Sequence, residues 1–132
     1  MNKVQAALIA NAVAVAVNRL SDFGHVLDEV TDVTDEAQDM NERLSAENQH
    51  VIHRLEQVIE QLQAYEPEEG SLHFNGFDIF NIGKAVNEKI TLLEQTQSYF
   101  VQMGHPHQVV AAVQQRIKDL TFAVAALVAD QR

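Results

Sequence analysis

Six histidines are the side chains of this 132-residue chain that most readily suggest metal binding, and some of them lie near acidic residues. Glu47 and His50 have the Glu-x-x-His spacing with which di-iron helical bundles place two ligands on one helix face. Such a centre needs a second copy of the motif and two more inward-facing glutamates. Asp22 and His25 form only a poor second copy. We therefore predict no metal site and no cofactor.

Catalytic chemistry has no recognisable pattern in the sequence either. The chain has no cysteine, which excludes thiolate nucleophiles, disulfides and zinc ribbons. It has no Ser/His/Asp signature and no glycine-rich phosphate-binding loop. We expect a protein that is not an enzyme and that acts by contact with other proteins.

The acidic residues are the other chemically distinctive group. Nineteen Asp and Glu against nine Lys and Arg give a net charge of -10, so we expect no direct binding to nucleic acid. Residues 22–69 contain fourteen acids and two arginines and carry -12, whereas the remainder carries +2. Two interpretations stay open: a solvated face that keeps the protein soluble, or a docking face for a basic protein surface. The predicted acidic partner face consists of Asp28, Asp32, Asp35, Glu36, Asp39 and Glu42.

The composition favours helices, because proline and glycine are few and alanine, valine, leucine, glutamine and glutamate are abundant. We expect one all-α domain, an elongated four-helix bundle made of helical hairpins, whose apolar N- and C-terminal helices pack together, either within one chain or between chains. A docked loop is expected at residues 66–77. The four helices are expected at about residues 2–20, 26–65, 78–103 and 106–130.

Residues that start or end helices set these boundaries. Gly24, after a serine and an aspartate, predicts a kink or turn that ends the first helix. Pro67 ends the second helix, and Asp78 is the expected N-cap of the third. Gly104 and Pro106 should separate the third helix from the fourth.

The clearest periodicity lies in residues 26–65, where apolar side chains recur every three or four positions, as in a coiled-coil seam. Asn48 within it either fixes the register or partner number or meets water at a stutter. A helix of this length would be about 60 Å long, too long for one compact chain of this size to cover, so we expect a homo-oligomer. The predicted oligomer interface consists of Leu8, Val15, Val30, Val33, Met40, Leu44, Asn48, Val51, Leu55, Val124 and Leu127.

The N-terminal apolar run from Ala6 to Val17 resembles a weak secretory signal. Asn11 interrupts it, and it is shorter than the ~20 residues that a membrane-spanning helix needs. We expect no cleavage and no membrane span, and a location in the cytoplasm or in a particle assembled there.

Two functional hypotheses follow. The first is a structural, assembly or adaptor protein that acts through protein contacts, such as a component of a phage particle or of a secretion apparatus. The alternative is an acidic binding inhibitor of the phage anti-defence type, whose surface mimics nucleic acid and occupies a basic protein target.

Overall fold

A computed structural model of the chain describes residues 1–30 and 33–132. No strand occurs among these residues, and the prediction of an all-α four-helix bundle is confirmed. A short 3-10 helix, Pro67–Glu69, lies between the second and third α-helices. The four α-helices are α1 (Lys3–Glu29), α2 (Asp35–Gln63), α3 (Gly76–Gln102) and α4 (His107–Asp130).

The expected break near Gly24 is absent, because α1 continues to Glu29. Gly24 is buried inside this helix, and a Cβ built on it would lie 3.1 Å from Nδ2 of Asn48 in α2. Glycine therefore serves here to let two helix backbones approach each other, and it does not end the helix.

The long helix expected over residues 26–65 is divided between two elements. Residues 26–29 belong to α1, and Val30 caps it with an extended backbone at φ -77° and ψ 111°. The second helix begins at Asp35, after the Thr34 side chain accepts a hydrogen bond from the Ala37 backbone N–H. Thr34 would be a poor helix former in the middle of a helix, but it is a favourable residue at the position where a helix starts.

Asp78 is not the N-cap of the third helix, which begins earlier. The side chain of Asn75 accepts a hydrogen bond of 2.8 Å from the Asp78 backbone N–H, so Asn75 is the cap. The loop consequently ends at residue 75 instead of 77. It lies against the end of α4, where the Gln131 side chain bonds to backbone groups of Leu72 and Phe74 at 2.8 Å each.

The helices form two hairpins, α1 with α2 and α3 with α4, and α1 contacts each of the other three helices. The core lies where the N-terminal half of α1 meets the C-terminal halves of α2 and α4 and the beginning of α3. The terminal helices pack together within the chain, as shown by the 3.2 Å ion pair between the Met1 amino group and Asp130. The largest fully buried side chains are Ile9, Val13, Val58, Ile82, Val86, Leu120 and Leu127.

Candidate interaction surfaces

The α1/α2 hairpin is held in register by two asparagines of α2. Asn41 and Asn48, seven residues apart, donate hydrogen bonds of 2.9 and 2.8 Å to the backbone carbonyls of Leu27 and Leu20 in α1. A helical carbonyl can accept this second bond because it has two lone pairs. Asn48 thus fixes the pairing of two helices within one chain.

The predicted interface residues fall into three groups by exposure. Three are buried within the chain and cannot meet a partner: Asn48, Leu55 and Leu127. Four are partly buried against the bundle: Leu8, Val15, Val51 and Val124. Four are exposed: Val30, Val33, Met40 and Leu44.

The exposed members belong to the distal arm, which we define as residues 21–30 and 33–47, the outer part of the α1/α2 hairpin. Two further observations extend them into a surface. Phe23 and Leu44 line the same cleft on the side of the arm that faces α3. One or two helical turns further out along each helix, other apolar side chains follow at spacings of three or four. The resulting distal strip consists of Phe23, Val26, Val30, Met40 and Leu44, which are 40–64% exposed.

The described acidic partner face surrounds the end of this arm and does not form one stripe on one helix. Asp28 lies on α1, and the other members lie on the first two turns of α2. Asp32 lies outside the described residues. All described members are exposed, and no ion pair among residues 1–30 and 33–132 includes one of them.

Helix dipoles act on these acids in opposite directions. Asp35 and Glu36 lie in the first turn of α2, where the partial positive charge stabilises a carboxylate. Asp28 and Glu29 lie in the last turn of α1, which has no basic residue and where the dipole is unfavourable for an acid. A cationic surface beside the end of α1 would offset this repulsion.

A second surface is a groove between α1 and α3 with a volume of about 880 Å³. Its floor is open because Ala12, Ala16 and Gly83 have small or no side chains, and a Cβ at Gly83 would meet nothing within 4 Å. Phe80 and Leu92 stand at its walls and are 69% and 50% exposed. We call this surface the α1/α3 groove.

The charge of the α1/α3 groove is opposite to that of the distal arm. Its lining includes Arg19, Lys84 and Lys89 and one acid, Glu88. Glu88 forms a 2.7 Å ion pair with Arg19 that is partly exposed to solvent. The groove therefore has an excess of positive charge in a protein that is strongly acidic as a whole.

One ion pair joins α3 to α2, and no pattern in the sequence predicts it. The Arg54 guanidinium donates to both carboxylate oxygens of Asp78, at 3.2 and 2.5 Å, and Asp78 is buried. The hydrogen bond and the charge of Asp78 raise the pKa of the Arg54 guanidinium above its ordinary value. Because both groups are satisfied by each other, we assign the pair a structural role.

The histidines form no metal centre in the part of the chain that the structure describes, since no group of three His, Asp or Glu side chains there could hold an ion. The His50 ring instead packs on Phe77 of α3, with ring centroids 5.5 Å apart. His53 lies 3.3 Å from the side-chain amide of Gln57.

Among the described residues, α1 alone is long and apolar enough to meet the criteria for a membrane span. Its best 18-residue window has a mean hydropathy of 1.3, and 33% of that window is buried in the bundle. Core helices of bundles reach the same values, so this finding is weak support for a membrane location.

Comparison of the chain with protein-family models, curated proteins and solved structures finds no match. Function has to be inferred from the surfaces of the molecule.

Proposed function

We propose that the protein is a non-enzymatic assembly or adaptor protein that self-associates through its distal strip. The observation that carries this proposal is the presence of five large apolar side chains on the arm, each at least 40% exposed, of which Phe23 and Leu44 line one cleft. Single exposed apolar residues are ordinary on a protein surface, whereas contiguous patches mark interaction sites.

The size of the strip is adequate for a specific contact. Five side chains at these exposures present on the order of 400 Å² of surface per copy, comparable to patches that mark interaction sites. At ~25 cal/mol per Å², covering this area would contribute about 10 kcal/mol before the entropic cost of association is subtracted. The free energy of burial, reduced by the entropic cost of association, is compatible with a reversible assembly.

The setting that we propose is the cytoplasm or a particle assembled there, such as a phage particle or a secretion apparatus. Such structures contain small chains whose role is contact between proteins, and the described surfaces offer exposed apolar side chains and a groove for such contact. In such a setting, contacts between copies of the chain would be part of how the protein functions.

Sedimentation velocity over a range of protein concentrations tests self-association. We expect the wild-type mass to rise with concentration, and we expect the double variant Met40→Gln and Leu44→Gln to stay at 14.8 kDa. The matched control is Val101→Gln with Met103→Gln, at the tip of the other hairpin, where both residues are 61% exposed. The control should assemble like the wild type, and a wild-type chain that is monomeric at every concentration would refute the proposal.

A second candidate, the acidic binding inhibitor, is favoured by one observation: among residues 1–30 and 33–132, no acid of the arm forms an ion pair. On this hypothesis the arm tip occupies a basic protein surface. A monomeric wild-type chain that displaces DNA from a basic DNA-binding protein would support it, provided that Asp35→Asn with Asp39→Asn weakens the displacement.

A further inference from the structure

We propose that the distal strip of one copy docks into the α1/α3 groove of a second copy, so that the contact runs head to tail. The inference rests on the proposed self-association and identifies the surface that receives the arm. Three independent features of the described residues support it: charge, surface chemistry and the continuity of α1.

Charge decides between the groove and a second arm as the partner surface. Residues 22–47 contain nine acids and one arginine, a net charge of -8. Two arms that packed strip against strip would bring these charges together, which disfavours the contact by like-charge repulsion. The α1/α3 groove instead presents Lys84, Lys89 and Arg19, with Glu88 already paired to the arginine.

The groove also has the shape and chemistry that an apolar helical strip requires. Its floor has small residues, which let another helix approach closely, and its walls have the exposed apolar side chains of Phe80 and Leu92. Lys84 and Lys89 lie along α3, so their ammonium groups can reach the carboxylates beside an inserted strip while their methylene chains cover apolar surface.

The arm borders the α1/α3 groove of its own chain through the cleft that Phe23 and Leu44 share with Arg19 and Lys84, but its strip cannot insert into that groove. Helix α1 is continuous from Lys3 to Glu29 and carries both surfaces, with Ala12 to Arg19 in the groove and Phe23 to Val30 in the distal strip. A continuous helix cannot bring its own end back onto its own side. The occupant is therefore the arm of another molecule.

A contact between two different surfaces has a consequence for symmetry. Every copy offers one arm and one groove, so each can contact two neighbours. Such a heterologous contact produces a closed ring where the rotation between copies closes, and an open filament where it does not. Dimers closed by a two-fold axis are not expected.

A mixing experiment with two variants tests this arrangement. The arm variant is Met40→Gln with Leu44→Gln, and the groove variant is Phe80→Ser with Lys89→Glu, at positions that are exposed or partly exposed; unlike Lys84, Lys89 does not line the cleft that contains Phe23 and Leu44. Each variant alone lacks one half of every contact, and we expect its dissociation constant for self-association to rise at least tenfold. In a mixture, the intact arm of the groove variant fits the intact groove of the arm variant. Equimolar mixing should give a heterodimer of about twice 14.8 kDa and nothing larger.

Each outcome separates this inference from the proposed function. A monomeric wild type refutes both. A wild type that assembles, with a groove variant that assembles equally well, refutes the inference alone and leaves the groove to another occupant, such as an apolar small molecule. Two monomeric variants that fail to form a heterodimer also refute it, because the intact arm of one variant and the intact groove of the other should restore one contact. Equal helical content and thermal midpoints of both variants by circular dichroism are required, so that misfolding is excluded.

Discussion

Gly24 lies where α1 packs closely against Asn48 of α2, and replacing it with alanine has two opposite effects on stability. Alanine is a better helix residue than glycine by about 0.5–1 kcal/mol. The new Cβ, however, would lie 3.1 Å from Nδ2 of Asn48, closer than ordinary van der Waals contact. The sign of the net effect depends on whether the asparagine can yield.

The structure indicates that Asn48 yields only at a cost. Its side chain is 7% exposed and donates a 2.8 Å hydrogen bond to the carbonyl of Leu20. Displacing it would weaken a bond worth about 0.5–1.5 kcal/mol and leave a buried amide poorly paired. We therefore expect Gly24→Ala to be less stable than the matched substitution Gly83→Ala by about 1 kcal/mol or more. At Gly83 a Cβ meets nothing within 4 Å, so the helix gain remains.

Urea denaturation followed by circular dichroism measures the difference, at a protein concentration at which both variants are monomeric, because Gly83 lines the α1/α3 groove and its substitution would also alter self-association. For a domain of this size, 1 kcal/mol corresponds to a shift of about 4 °C in melting temperature. A double-mutant cycle with Asn48→Ala isolates the contact, because Gly24→Ala should become stabilising once the amide is removed. Equal stabilisation by Gly24→Ala and Gly83→Ala in the wild-type background would refute the reasoning.

Three further substitutions test the interior, each by urea denaturation or thermal melting. Tyr65→Phe removes a buried hydroxyl that donates a 2.8 Å hydrogen bond to the backbone carbonyl of Met1, and it should lower the free energy of unfolding by about 0.5–1.5 kcal/mol. The control Tyr99→Phe, at a side chain that is 55% exposed, should change it very little. Asp78→Ala should lower the melting temperature more than Glu66→Ala, since the first ion pair is partly buried and the second is exposed; equal effects would contradict the assigned role. Leu127→Ala, at 1% exposure, should cost about 2–5 kcal/mol, and a smaller loss would mean that its site is poorly packed.

The boundary between the third and fourth helices was predicted to within about two residues, because its signals are local. Gly104 has a φ of 70°, a left-handed conformation that glycine adopts without strain. Pro106 precedes the first residue of α4. Both residues act through their own backbone, whatever packs against them, and their effect can therefore be recognised in the sequence.

The first hairpin was predicted less well, because its signals depend on distant residues. Gly24 has the same local chemistry whether it ends a helix or lets another helix approach, and only Asn48, twenty-four positions later, shows which applies. The apolar spacing of Val30 and Val33 fits two arrangements equally well: a coiled-coil seam, or the exposed ends of two helices. Neither the glycine nor the apolar spacing indicated that Met40 and Leu44 would be exposed.

The sequence by itself determined the all-α class, the number of helices, the absence of thiol chemistry and the concentration of acid in residues 22–69, since these follow from residue types and short-range spacing. Only the tertiary structure decided which seam residues are covered within the chain, where the described acids lie, and that α1 and α3 form a cationic groove. The physical reason is that burial and grooves belong to pairs of helices. A single helix pattern shows that an apolar face exists, and the partner helix decides whether that face is covered.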